Sequence, residues 1–197
     1  MVYVLIGATQ LSQPGPGAVV RNVKKVVIHP YYISAANYSY DIAILQLDQP
    51  VLCSQYIQLA CVADPALRVS ELYNCWIVAG WGYTTEKSQQ SADRLQEAKV
   101  QLIDVQLCNS TGWHTGIVQP HNLCAGYPEG NIDTCRGDSG GPLMCQDNNA
   151  EYWWVVGISS WGRGCGRPKW PGVFVSTQYF YDWIVYNMHA HAIESAS

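Results

Sequence analysis

The sequence holds no uninterrupted apolar run near the roughly 18 to 20 residues that a bilayer-crossing helix needs. No segment is therefore read as a membrane span, and the chain is expected to be soluble. Its 11 lysines and arginines are scattered and outnumbered by 15 acidic residues, for a net charge of −4. No basic cluster exists to follow a nucleic-acid backbone or an anionic lipid surface. Charge of either sign is rare, at 13%, and no low-complexity tract or fixed-period repeat interrupts the pattern. Residues 1–6 lack a preceding basic residue and are too short for the apolar region of a signal peptide. They read as a strand, and a secreted protein that begins this way is expected to lack its first part.

What the sequence has in quantity points to strands. With 197 residues and 48% hydrophobic content, it can bury one sizeable core or two small lobes. Its 17 glycines, 10 prolines, 13 tyrosines and 8 tryptophans favour short strands joined by tight turns. Strand-like runs occupy residues 1–6, Val19–Ile28 and 41–47, and again 75–81, 96–103, 142–145, 152–161 and 172–176. Residues 53–74, with Pro65 and mixed polar side chains, read as a connector between a first lobe and a second. Near the end, Phe180, Trp183, Ile184 and Met188 lie three to four apart behind the candidate caps Ser176 and Thr177, which predicts one amphipathic helix over residues 179–191. The 8 scattered cysteines suit a disulfide-stapled secreted domain. The sequons at Asn37 and Asn109 agree with that compartment and make both residues candidate glycosylation sites.

The sharpest chemical signal is Asp133-Thr134-Cys135-Arg136-Gly137-Asp138-Ser139-Gly140-Gly141-Pro142. Glycines around a serine let a substrate backbone approach and let successive N–H groups turn toward one point, the geometry of an oxyanion hole. Ser139 is thus a candidate nucleophile, set against the plainer reading of a glycine-rich turn whose serine bonds locally. Gly137 to Gly141 also satisfy the G-x-S-x-G elbow of α/β-hydrolases, but an elbow needs a helix directly after it. Here Gly140-Gly141-Pro142 leads into the strand-like Leu143-Met144-Cys145.

The same stretch resembles the nucleophile motif of the trypsin-like (chymotrypsin-family) serine proteases, and the likeness runs through most of the chain. Tyr40-Asp41-Ile42-Ala43-Ile44-Leu45 is similar to that family's aspartate motif, and Ala79-Gly80-Trp81-Gly82 to the start of its second barrel. Ser160-Trp161-Gly162-Arg163-Gly164-Cys165 with Pro171-Gly172-Val173 is similar to its substrate-binding edge. Cys108-Asn109-Ser110-Thr111, Cys53 with Cys61, and Cys124-Ala125-Gly126-Tyr127-Pro128 most resemble its acrosin branch, which would place the chain in a secreted or acrosomal compartment.

The resemblance implies an all-β fold of two antiparallel six-stranded-type barrels, the first incomplete, with a C-terminal α-helix. It implies a peptidase domain divided into residues 1–52, a connector at 53–74, a second barrel at 75–178 and the helix. Ser139 would be the nucleophile, Asp41 the buried carboxylate that orients a histidine, and the N–H groups of Gly137 and Ser139 the oxyanion hole. Asp133 would form the floor of the specificity pocket and Gly162 and Gly172 its walls, selecting Arg or Lys because a buried carboxylate is costly until a cation pairs with it. Ser160 and Gly162 would pair with substrate backbone as an added strand. Asp138 would receive a new α-amino group freed by activation cleavage. Disulfides Cys75–Cys145, Cys108–Cys124 and Cys135–Cys165 are implied in the same way. Cys53 and Cys61 would remain to bond a short light chain, and no metal or cofactor is implied.

One element of the pattern is missing. The family's order is histidine, aspartate, serine, and only His29 precedes Asp41. Its context, Ile28-His29-Pro30-Tyr31, matches a surface strand end of the family and not the segment around its base. A zinc site of Cys108, His114, His121 and Cys124 is the other use of these residues, but the family pairs those cysteines. Two functions follow: an endopeptidase cleaving after Arg or Lys in protein or peptide substrates, or an inactive homologue that binds proteins or glycans.

Overall fold

The computed structural model describes residues 2–35, 38–72, 74–147 and 152–194; the sequon asparagine Asn37 lies outside them. Two sheets account for the strands. The first is antiparallel and three-stranded, with β1 (Tyr3–Ile6), β2 (Val19–Ile28) and β3 (Ala43–Leu47) in chain order. Its register sets Leu5 opposite Val20 and Val26 opposite Leu45. Strand pairing puts Val26, Ile28 and Leu45 on one face, where they are 48%, 57% and 46% exposed. This sheet is not closed.

The second sheet is closed. β5 (Asn74–Gly80), β6 (Gln96–Ile103), β7 (Asn122–Gly126), β8 (Pro142–Gln146), β9 (Trp153–Trp161) and β10 (Gly172–Ser176) form a ring in the order β10-β7-β6-β5-β8-β9, and β9 pairs back to β10. Inside it lie Val100, Leu143, Val156 and Phe174, all fully buried, with the Cys75–Cys145 bridge. Gly157 sits where any Cβ would come 3.0 Å from the Cβ of Phe174, so its bare backbone is what lets the ring close over that phenyl group. Burial of these side chains is the main stabilising term, at roughly 1.5–3 kcal/mol for each large one.

The connector departs from expectation. Within residues 53–74 a short strand, β4 (Cys61–Val62), pairs parallel to β9, and a 3₁₀ turn covers Val69–Glu71. The sequence also gave no hint of β7, because Asn122-Leu123-Cys124-Ala125-Gly126 contains no β-branched or aromatic residue; its neighbours β6 and β10 impose the conformation.

Two α-helices occur among the described residues. The single turn α1 (Val105–Cys108) is capped by Asp104, whose side chain accepts from the Leu107 N–H. The terminal helix α2 spans Tyr181–Glu194, starting two residues later than the pattern suggested. Ser176 accepts from the Tyr179 N–H and so caps the turn ahead of the helix and not the helix itself. Phe180, Trp183 and Ile184 pack on Ile42 of the first lobe and Val175 of the barrel. Met188 is 60% exposed, so the helix is seated only over its beginning.

Disulfides join Cys75 to Cys145, Cys108 to Cys124 and Cys135 to Cys165, across 70, 16 and 30 residues. Each restricts the unfolded chain by an amount on the order of 3–4 kcal/mol in the loop-entropy account. Cys53 and Cys61 are unbonded and exposed. A thiol reagent added to the folded, non-reduced chain should therefore titrate two groups, and all 8 after reduction and unfolding. Finding none in the folded monomer would mean that Cys53 and Cys61 bond to each other.

Candidate active site

The serine loop lies between β7 and β8 and is pinned along its length. The Gly140 N–H donates to the Ser159 carbonyl and the Ser159 N–H to the Gly141 carbonyl, both at 2.8 Å, so the loop rides on β9. Cys135 is bonded to Cys165 beyond the end of that strand. Within the loop, Asp138 N–H reaches the Cys135 carbonyl (3.1 Å) and Gly141 N–H the Asp138 carbonyl (2.9 Å). Gly137 and Gly140 adopt φ of 92° and 86°, where an L side chain is strained. The result is an exposed Ser139 at the apex. The N–H groups of Gly137 and Ser139 donate to nothing among the described residues and are free for an incoming acceptor.

Asp138, next to the serine, points the other way. It is 5% exposed, and its carboxylate accepts the N–H groups of Gly82 (2.8 Å) and Cys135 (2.9 Å). Burial pushes its pKa up, and those two bonds pull it back. A Cβ at Gly82 would lie 2.3 Å from the Asp138 Oδ1, so only glycine admits the carboxylate there.

Asp41 approaches from the first lobe, one residue past the left-handed Tyr40. It is half-buried, not sealed in the core as the apolar context of its motif suggested. The reason is that it stands at the rim of a cleft, where its Oδ2 accepts the Ser160 Oγ–H at 2.6 Å. That cleft, of about 550 Å³, is lined by Asp41, Ser139, Ser160, Trp161, Gly162 and the Cys135–Cys165 bridge, with Tyr32, Tyr38, Glu86 and Arg136 around it. The sequence had not singled out these last four. Arg136 was within sight as part of the serine motif, whereas Tyr32, Tyr38 and Glu86 carry no local signal. Glu86 is held by Arg167, whose Nε donates to it at 2.9 Å.

Asp133 is not among the residues lining the cleft, although its neighbour Thr134 is. One carboxylate oxygen accepts the Thr134 N–H (2.8 Å) and the other the Gly166 N–H (3.2 Å). Gly172 borders it so closely that a Cβ would come 2.6 Å from Asp133 Oδ1. Gly162 differs, since a Cβ there would meet nothing nearer than 3.8 Å. Burial pushes the Asp133 pKa up to about 6, with the N–H groups of Gly166, Thr134 and Gly172 and the Thr134 side chain opposing the shift.

Among the described residues no histidine lines the cleft. His29 is 8% exposed and stacks on Tyr40 at 4.9 Å, edge-on to Phe180. His114 is fully buried with Nε2 on the Pro171 carbonyl at 2.9 Å. His121 receives the Tyr40 N–H, and His189 is exposed. Cys108 and Cys124 are bonded to each other and so cannot serve with these rings as zinc ligands; among the described residues no cluster of three metal-ligating side chains occurs. Asn109 uses both ends of its carboxamide on Val118, so a glycan there would cost that clamp.

Closed barrel, glycine-framed serine and aspartate on a shared cleft define a class, and comparison with known proteins agrees. The trypsin family profile matches residues 1–184, and the chain belongs to that family of serine endopeptidases. It is similar to human transmembrane protease serine 5, 41% identical over 172 residues, covering 87% of this chain and 36% of the relative. Transmembrane protease serine 7 of mouse and of rat are each 42% identical, covering 82% and 86% of this chain but 19% and 20% of those proteins. The chain thus spans about a third or less of the length of these relatives. No helix among the described residues is long and apolar enough to cross a membrane.

The raised pKa of Asp133 has a signed consequence. The folded carboxyl holds its proton to higher pH than the unfolded one, so its stabilising contribution is complete below about pH 4 and is lost as pH rises through about 6. Asp133→Asn removes that loss. The variant's melting temperature relative to the parent should rise across this window in thermal scans at stepped pH; a difference that does not change with pH would contradict the burial of this carboxylate.

Proposed function

We propose that the chain carries the nucleophile and the specificity pocket of an endopeptidase that cleaves after Arg or Lys. The observation that supports this most is the convergence of Ser139, Asp41, Ser160 and Gly162 on one cleft that also takes in Thr134, the neighbour of the half-buried Asp133. The roles are those of the family's serine, histidine and aspartate triad. Ser139 Oγ would attack the scissile carbonyl carbon, and the N–H groups of Gly137 and Ser139 would hold the oxyanion. The C–N bond would then break, the amine leaving with a proton. A cationic side chain in the pocket would pair with Asp133, draw its proton off and relieve the cost of burying it. Ser160 and Gly162 would present backbone to the substrate, and Asp138 is the candidate partner for an α-amino group after activation.

The proton on Ser139 Oγ needs a base, and no histidine is among the described residues that line the cleft. We therefore infer that the catalytic histidine is missing from this chain, and the chain alone turns over poorly. Loss of a triad member removes on the order of 10⁴ to 10⁶ in kcat, because the members act as a unit. The same observation favours a second reading, a non-catalytic homologue that binds proteins or glycans through the barrel surface. The exposed thiols of Cys53 and Cys61 support a disulfide-linked light chain. The three bridges suit an oxidising, secretory compartment. A placement in the acrosome rests on the acrosin-like cysteine motifs alone, while the similar proteins named above are transmembrane proteases.

Two measurements test the reading. The purified chain should cleave Arg and Lys esters at no more than a trace; turnover abolished by Ser139→Ala would show that a base is present after all. An aryl amidine, which copies the arginine head group, should bind the chain, and Asp133→Ser should weaken it by on the order of 10²-fold or more while the variant stays folded. Equal binding by parent and variant would remove Asp133 from the pocket.

A further inference from the structure

Asp41 follows a residue whose backbone is costly to hold. Tyr40 has φ of 55°, in the left-handed region that bulky L residues avoid. Three elements hold it there. His29, just past β2, stacks on its ring at 4.9 Å and 20°. Phe180, just ahead of α2, meets it edge-on at 5.7 Å. His121, just ahead of β7, packs on the ring at 4.6 Å, and its Nε2 accepts the Tyr40 N–H at 3.1 Å. His121 is 3% exposed. The Tyr40 carbonyl in turn accepts the Ile42 N–H at 2.8 Å, so the backbone on either side of Asp41 is fixed while its carboxylate meets Ser160.

We infer that His121 is a positioning residue for Asp41: its neutral ring, accepting the Tyr40 N–H, holds the aspartate toward Ser160 and the cleft, and protonation of the ring in acid releases it. An imidazole that accepts at Nε2 carries its one proton on Nδ1; the imidazolium has two donors and no acceptor, so it would set N–H against N–H. The titratable groups facing the ring are His29 from the end of β2, Tyr40 from the turn and Tyr179 from the segment before α2. None is a carboxylate that would welcome a cation. Burial and the neighbouring His29 both lower the pKa of His121. The contact is therefore intact above the ordinary histidine range near 6.5 and is lost as pH falls through the lowered value. The role rests on Asp41 being the triad aspartate, but its physical content does not need turnover.

Nitrogen-resolved NMR of the full chain reads it directly. At neutral pH the His121 ring should be protonated at Nδ1 with Nε2 bare, and the backbone amide signals of Tyr40 and Asp41 should shift on acidification with the same midpoint as the ring. His121→Gln offers a carbonyl acceptor that cannot ionise, so both amides should stay near their neutral positions and lose that titration. His121→Leu should place them at acid-like positions at every pH. A proton found on Nε2 at neutral pH overturns the inference, and this observation uses the unmodified chain, so it decides even if a variant does not fold. Persistence of the titration in His121→Gln, or its loss in His29→Gln alone, also overturns it. The endopeptidase reading fails or stands separately, on substrate and amidine assays.

Discussion

β9 is hydrogen-bonded along both edges, to β8 from Gln146 to Pro142 and to β10 from Val173 to Ser176. This closes the ring and fixes the strand's register, because a slip of one residue would turn every side chain to the opposite face. The functional contacts hang on that register. Ser159 exchanges two backbone hydrogen bonds with the serine loop, Ser160 reaches across to Asp41, and Trp161 and Gly162 edge the cleft. The parts of the site come from three distant stretches of chain, and one strand holds them in a common frame.

Two carboxylates, the half-buried Asp133 and the buried Asp138, sit five residues apart in the loop fastened by the Cys135–Cys165 bridge. Burial raises the pKa of both. Backbone N–H groups meet them: Thr134 and Gly166 for Asp133, Gly82 and Cys135 for Asp138. Glycine is required where these carboxylates crowd the chain, at Gly172 beside Asp133 and at Gly82 beside Asp138. The loop that displays Ser139 is thus supported from behind by groups that prefer a partner, and the disulfide keeps it from rearranging to expose them to water.

The two lobes meet through aromatic packing as well as through the bonds that Gln10 and Ser12 make to Asp93 and Ser160 makes to Asp41. Ile42 and Tyr40 of the first lobe, Val175 of the barrel and Phe180 with Trp183 near α2 form one cluster, with His29 and His121 inside it. The helix is anchored where it joins this cluster and is exposed further on, at Tyr186 and Met188. Asp41 leaves the cluster directly into the cleft, so the fit between lobes and the setting of that carboxylate are one packing problem.

The sequence by itself determined the all-β class, β2, β6 and β10 to their end residues, the glycine-framed Ser139 and the amphipathic stripe that seats α2. These signals are local: alternation of apolar residues, glycines where φ is positive, and apolar spacing of three to four. The pairing of the six bonded cysteines and the pocket-floor role expected of Asp133 came from likeness to a family and not from local pattern. Only the tertiary structure decided β4 and β7, whose residues have weak strand preference and take their conformation from partners. It also placed Asp41 at a rim and not in a core, and brought Tyr32, Tyr38 and Glu86 to the cleft. It set His121 against Tyr40, 81 residues away in sequence. A contact of that kind exists only once both lobes are packed, since neither segment alone carries a trace of the other.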